Sequence, residues 1–160
     1  MRGSDSMPEE RIAGMLSRAK IFTINSMVFL SEDVAEHFGP VDLGNGRLSR
    51  MPVLRSDRTR EFDSAFYLLE FANSRDTVDR ENTEKCRPLY PNRPEAGYKL
   101  PPDVPGRDVI VHRSAVDGPE LWFDPMIRGR QFTSDRVAQI LTRCGLQSAF
   151  KLKQCKFLSP

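Results

Sequence analysis

Apolar and polar positions are most clearly ordered over residues 130–157. A short strand, an amphipathic helix, a glycine stop and a final strand are predicted there in succession. Phe132 ends the first strand. Ser134 stands where an N-cap side chain accepts a hydrogen bond from an unpaired N–H of the first turn. Asp135 sets negative charge at the positive end of the helix dipole. Val137, Ile140, Leu141 and Cys144 recur at the ~3.6-residue period, which makes one face apolar. Arg143 lies in the last turn, and Gly145 can take the left-handed conformation that closes a helix. The alternation Phe150, Lys151, Leu152, Lys153 then predicts a strand with one buried face.

A second copy of this unit lies near the start. Phe29-Leu30-Ser31-Glu32-Asp33-Val34-Ala35 aligns with Phe132-Thr133-Ser134-Asp135-Arg136-Val137-Ala138 at an offset of 103 (132 − 29), with Phe, Ser, Val and Ala coinciding. The first copy continues through Phe38, the turn residues Gly39-Pro40 and Gly44-Asn45-Gly46, and an apolar run from Leu48 to Leu54. Two related strand–helix–strand halves are predicted, fewer copies than a solenoid needs. The opposing reading is that serine followed by an acid is a common cap before any apolar helix.

Elsewhere the pattern changes character several times. Ser6-Met7-Pro8-Glu9 fits a capping box, and Ile12, Met15, Leu16 and Ala19 form an apolar stripe, so a helix is predicted over residues 7–19. Residues 21–30 form an apolar run rich in β-formers. Residues 62–71 (FDSAFYLLEF) are apolar on both faces at their centre, which predicts an interior strand. Residues 73–83 (NSRDTVDRENT) read as a solvated turn, and Asp76, Asp79 and Glu81 lack the glycine and spacing of a calcium loop. Six prolines, at 88, 91, 94, 101, 102 and 105, exclude a helix or a central strand over residues 86–107 and predict a long, stiffened loop. Residues 109–113 and 121–124 read as a hairpin around Asp117-Gly118-Pro119.

The sum is an α+β fold with one domain over residues 7–160. A mainly antiparallel sheet is covered by helices near residues 7–19, 31–38 and 134–144, with the long loop on one rim. Met1-Arg2-Gly3-Ser4 resembles an expression-vector remnant, so residues 1–6 are set aside.

Composition narrows the function classes. A chain of 160 residues can bury one substantial core. Lys and Arg number 24 against 22 Asp and Glu, and a formal net charge of +2 does not by itself point to nucleic acid or a membrane. Cys86, Cys144 and Cys155 have no metal-ligand spacing and read as reduced thiols of a cytosolic protein. No apolar stretch reaches the length of a membrane span, and Glu9-Glu10 is wrong for a secretory signal, so a cytoplasmic location is expected.

Catalytic signatures are missing from the sequence. There is no nucleophile elbow, phosphate-binding glycine loop, zinc-protease helix or dinucleotide fingerprint, so no enzyme activity, metal or cofactor is expected. His37 and His112 read as packed or surface residues. A small hydrolase or transferase would have to assemble its site from distant groups such as His37, Asp79, Glu81 and His112. Phe150, Lys151, Lys153, Lys156 and Phe157 interleave aromatics and cations as a single-strand RNA surface does, and as any strand with one wet face does.

Arg47, Arg50, Arg55, Arg58 and Arg60 crowd residues 47–60, either as a solvated strand and loop or as a docking strip for an acidic partner. Tyr90 and Tyr98 are the aromatic candidates for partner contacts on the proline loop, whose stiffness reduces the entropy lost on binding. Trp122, the single tryptophan, reads as a core anchor or as an interface hot spot.

In feature order the chain resembles the bacterial immunity proteins of polymorphic-toxin systems, specifically the eleventh numbered family, formerly a domain of unknown function. The matching pieces span roughly residues 27–157: the strand and Ser-acidic helix from Val28 to Phe38, the run from Gly46 to Leu54, and Phe66-Tyr67-Leu68-Leu69. Asp76-Thr77-Val78-Asp79-Arg80-Glu81 stands in the place of that family's D-x-x-D-x-E segment. Val111-His112-Arg113-Ser114 and the unit from Ser134 to Phe150 complete the match. The chain departs from the pattern at Gly145-Leu146-Gln147-Ser148 and in its proline-rich loop. The resemblance implies a protein made beside a toxin, retained in the cell, and neutralising that toxin by binding it. Its partner would be the cognate toxin, with no nucleic acid and no membrane.

Overall fold

In the computed structural model the described residues are 7–102, 105 and 108–158, and they divide into two compact units. The capping box at Ser6, the vector remnant, and the proline-loop positions 103, 104, 106 and 107 lie outside the described residues.

Alternating strands build the first unit, which comprises the chain up to Pro40 together with Arg47–Glu70. It runs α1 (Glu9–Leu16), β1 (Ile21–Ile24), β2 (Met27–Ser31), α2 (Glu32–Glu36), β3 (Arg47–Met51) and β4 (Phe66–Glu70). The four strands pair antiparallel in the order β1-β2-β4-β3. The apolar run of residues 21–30 is thus a hairpin. Asn25 and Ser26, with φ of 49° and 66°, form the two-residue turn whose twist matches the flanking strands.

Phe22 faces Phe29 across this hairpin with ring centroids 4.8 Å apart and nearly parallel planes, and Phe66 meets Phe22 edge-on at the same distance. β4 occupies an interior place in the sheet, as its two apolar faces predict, although it starts only at Phe66. Leu30, Val34, Phe38 and Phe66 are almost wholly buried in this unit.

The second unit comprises Val41–Gly46 and the chain from Phe71 onward. It contains β5 (Arg87–Pro88), β6 (Tyr98–Lys99), β7 (Ile110–Val111), β8 (Leu121–Phe123), β9 (Gln131–Thr133), α3 (Asp135–Arg143), α4 (Gln147–Phe150) and β10 (Lys156–Phe157). Its core gathers Val78, Val109, Val111, Trp122, Ile127 and Phe132, with Cys86, Tyr98 and Cys155 against it.

α3 forms as its sequence predicts. The Ser134 hydroxyl accepts from the Val137 N–H at 3.3 Å. Gly145 (φ 75°) closes the helix in a Schellman arrangement, with Leu146 N–H donating to the Leu141 carbonyl at 2.7 Å and Gly145 N–H to Thr142 at 2.9 Å.

Helices and antiparallel sheets together make the α+β class expected, but three local readings are corrected. The stretch after Gly145 is α4 and not a strand; the Phe150 N–H returns to the Leu146 carbonyl at 3.1 Å, and Lys151 turns left-handed at φ 51°. That turn breaks the alternation before it can form a ladder, and strand structure resumes only at β10.

β7 and β8 do not form a hairpin. A short 3-10 turn, Arg113–Val116, separates them; β7 pairs parallel with β10, and β8 pairs antiparallel with β9. The stacking of Trp122 on Phe132, 5.9 Å between centroids, accompanies the second pairing. Residues 73–83 are not a solvated turn, because Asn73, Thr77, Asp79 and Thr83 are buried and bonded. No helix among the described residues is long and apolar enough to cross a membrane.

Candidate docking surface

Burial of polar groups in the second unit is compensated by backbone bonding. Asp124, 1% exposed, accepts the N–H groups of Thr77 (2.8 Å), Val78 (2.9 Å) and Met126 (2.9 Å). Asn73 accepts from the Asn45 N–H at 2.8 Å and donates to the carbonyls of Leu43 (2.7 Å) and Leu121 (2.8 Å), tying residues 41–46 to the body of the unit. The Trp122 indole N–H donates to the Thr77 hydroxyl at 2.9 Å. Among the described residues no buried side-chain nitrogen or oxygen lacks a partner. These groups hold loops in place, a use that their polar sequence did not reveal.

The groups considered for catalysis are similarly engaged. Asp79 receives the Asn82 side-chain amide (2.8 Å) and the N–H groups of Asn82 (3.0 Å) and Glu81 (3.1 Å). The Asn82 amide is the main cause of its lowered pKa, and the nearby His112 adds to it. His112 donates its backbone N–H to Thr77, while Glu81 is exposed. His37 belongs to the first unit, where its Nδ1 lies 2.7 Å from the Asp33 carbonyl. Asp79 and His112 therefore share a neighbourhood, which Glu81 joins through its backbone N–H while the residue itself is exposed. Burial raises the thiol pKa of Cys86 and Cys155, so both stay protonated at neutral pH. No group of three or more His, Cys, Asp or Glu among the described residues is placed to hold a metal.

The five arginines do not form one strip. Arg47 and Arg50 are three residues apart on β3 and so point to opposite faces of the sheet. Four are ion-paired: Arg47 with Glu70 (3.1 Å), Arg50 with Glu61 (2.9 Å), Arg55 with Glu9 (3.3 Å) and Arg60 with Asp57 (2.9 Å). Arg55 also lies 4.9 Å above the Phe62 ring, which makes it part of the fold. Arg58, exposed at a left-handed turn (φ 58°), has no ion pair among the described residues.

Tyr90 is 59% exposed, and Tyr98 is half-buried with the Arg80 guanidinium 5.7 Å from its ring centre. Trp122, 4% exposed, belongs to the core and presents no ring to a partner. Of the cation–aromatic series at the end of the chain, Phe150 and Lys151 belong to α4 and its cap, while Lys156 and Phe157 lie exposed on β10.

A groove in the first unit went unnoticed in the sequence. Met7, Pro8 and Ile12 on one side and Val53, Leu54 and Phe62 on the other enclose about 410 Å³ open to solvent. Glu9 lies in it, bonded to the Ser56 hydroxyl (2.6 Å), which is the chief cause of its lowered pKa. Met7 and Leu54 are exposed to 41% and 46%. The signal available was the apolar stripe of Ile12, Met15 and Leu16 on the N-terminal helix, no residue of which the structure fully buries. No protein-family model, curated protein or solved structure matches this chain.

Proposed function

We propose that this chain is an immunity protein that binds a toxin made beside it and blocks the toxin's active site or its access to substrate. The reading starts from the sequence resemblance. The observation that carries it further is the open apolar groove of about 410 Å³ with Met7 and Leu54 exposed in it, and the loop after Leu54 adds the exposed Arg58. Methionine and arginine beside apolar surface are the composition of protein interfaces, and exposed apolar groups on a folded unit gain free energy when a partner covers them.

A stable complex buries roughly 1,200–2,000 Å², so the groove forms the centre of a larger contact. In this reading, as the resemblance implies, the protein is retained in the cell and acts in the cytoplasm. Co-expression with the toxin encoded by the neighbouring gene tests this directly. The two products purify together, and Leu54→Asp, which puts a charge into the groove, releases the toxin; a neighbouring product that passes through unbound contradicts the proposal.

A further inference from the structure

The second unit carries exposed cations for which no ion-pair partner lies among the described residues. Arg87 and Lys99 stand directly opposite each other in the β5–β6 ladder, both exposed. Like charges in that relation repel and cost stability unless an anion lies over them.

Arg128 joins them. Its backbone N–H donates to the Tyr98 carbonyl at 3.0 Å, and its Nε lies 3.7 Å from where a Cβ would project at Gly97. Gly97 has φ 108°, and an added Cβ there would press on the Met126 carbonyl at 3.2 Å, so glycine is what allows this approach. Two further cations buttress the same loop: Arg130 donates to the Pro101 carbonyl (2.7 Å), and Lys153 reaches the Pro102 carbonyl at 3.4 Å. None of Arg87, Lys99 and Arg128 has an ion-pair partner among the described residues.

We infer that this face, built by Arg87, Lys99 and Arg128 on β5, β6 and the turn before β9, docks an acidic protein surface through its carboxylates. The inference rests on the reading of the chain as a protein-binding module and adds the chemistry of the partner. Guanidinium groups bind carboxylates in planar pairs, and the turn of residues 94–97 holds the two strands at fixed separation before any partner arrives.

Nucleic acid fits less well. A single strand needs successive stacking rings, but Arg80 already covers the Tyr98 ring, leaving Tyr90 as the exposed aromatic of this loop. Three unpaired cations also supply about half of the six or more phosphate contacts that make such binding tight.

Fluorescence polarisation with labelled decaglutamate and labelled decauridylate at low salt tests the inference on the full chain. The chain binds decaglutamate, added salt weakens binding, and Arg87→Glu with Lys99→Glu weakens it about tenfold or more. Arg143→Gln, at the exposed end of α3, leaves it unchanged. Circular dichroism confirms that the double variant folds; should it not, Arg128→Gln alone gives a smaller loss in the same direction. Equal binding by the altered and original chains, binding of neither probe, or tighter binding of decauridylate that the same substitutions abolish overturns the inference. A toxin that co-purifies while decaglutamate fails leaves the proposed function standing without this surface. The reverse pair of results leaves the surface standing without the toxin.

Discussion

Ser31 and Ser134 hold the same place in two copies of one local structure, 103 positions apart (134 − 31). Their backbones agree within a few degrees, with φ −63° and ψ 161° at Ser31 against φ −65° and ψ 161° at Ser134. Each donates its N–H at 2.9 Å to the carbonyl just ahead of the first strand of the local pair, Lys20 ahead of β1 for Ser31 and Glu120 ahead of β8 for Ser134. Each follows a pair of strands joined by stacked rings, Phe22 on Phe29 and Trp122 on Phe132. Each also precedes a helix whose valine, Val34 or Val137, is fully buried.

The two caps differ in their hydroxyls, and so in what their loss costs. Ser134 accepts from the Val137 N–H and donates to Glu120 at 2.9 Å, whereas Ser31 is turned to the Asp33 carboxylate and caps no N–H. Ser134→Ala is expected to cost about 0.5–2 kcal/mol and Ser31→Ala less, measured by urea unfolding. Equal losses would contradict the assignment of the functional cap to Ser134 alone.

Asp124→Ala removes the acceptor of three backbone N–H groups in a buried site. Each stranded donor costs about 1–3 kcal/mol, so the loss is expected to be several kcal/mol. Trp122, beside this network, reports it through its fluorescence. A variant with an unchanged unfolding midpoint would mean that water reaches these groups.

Gly44 sits at φ 55°, and a Cβ there would lie 2.5 Å from both the Asn73 side-chain oxygen and the Pro119 ring. Gly44→Ala therefore combines a left-handed backbone penalty with displacement of Asn73, on the order of 2–3 kcal/mol together. The expected readout is a lower urea midpoint followed at Trp122. Retention of the original midpoint would show that residues 41–46 shift freely.

The Asp57 carboxyl is pulled down from 3.8 to about 2, first by the Thr59 N–H and then by the Arg60 guanidinium. A depressed carboxyl stabilises the fold above its unfolded value, and that contribution is lost as pH falls from 3.8 through about 2. Carbon-detected NMR titration should place its midpoint near the lower value, and Arg60→Gln should raise it only in part because the Thr59 N–H remains. A midpoint at 3.8 in the original chain would show that the turn of residues 57–60 is open in solution.

Local signals predicted what local physics decides. Period, cap and glycine together gave α3, and apolar faces gave β4 its interior place. Pairing partners were harder to read. Strands of two or three residues carry little pattern, so β8 could not be seen to choose β9 over β7. The polar run of residues 73–83 looked solvated because Asp124, the acceptor that makes its burial possible, lies 46 positions beyond Val78. Among the proposed contact residues, Tyr90 is exposed, whereas Trp122 is buried. The arginines of residues 47–60 could not be sorted from sequence, since Glu9, Glu61 and Glu70 neutralise them only after folding.

The proposed function is tested most directly by calorimetric titration of the chain with the toxin encoded beside it. The account predicts a one-to-one complex tighter than about 1 μM. Leu54→Asp and Arg58→Glu should each weaken it without lowering the melting temperature. No heat of binding, or binding indifferent to both substitutions, would contradict it.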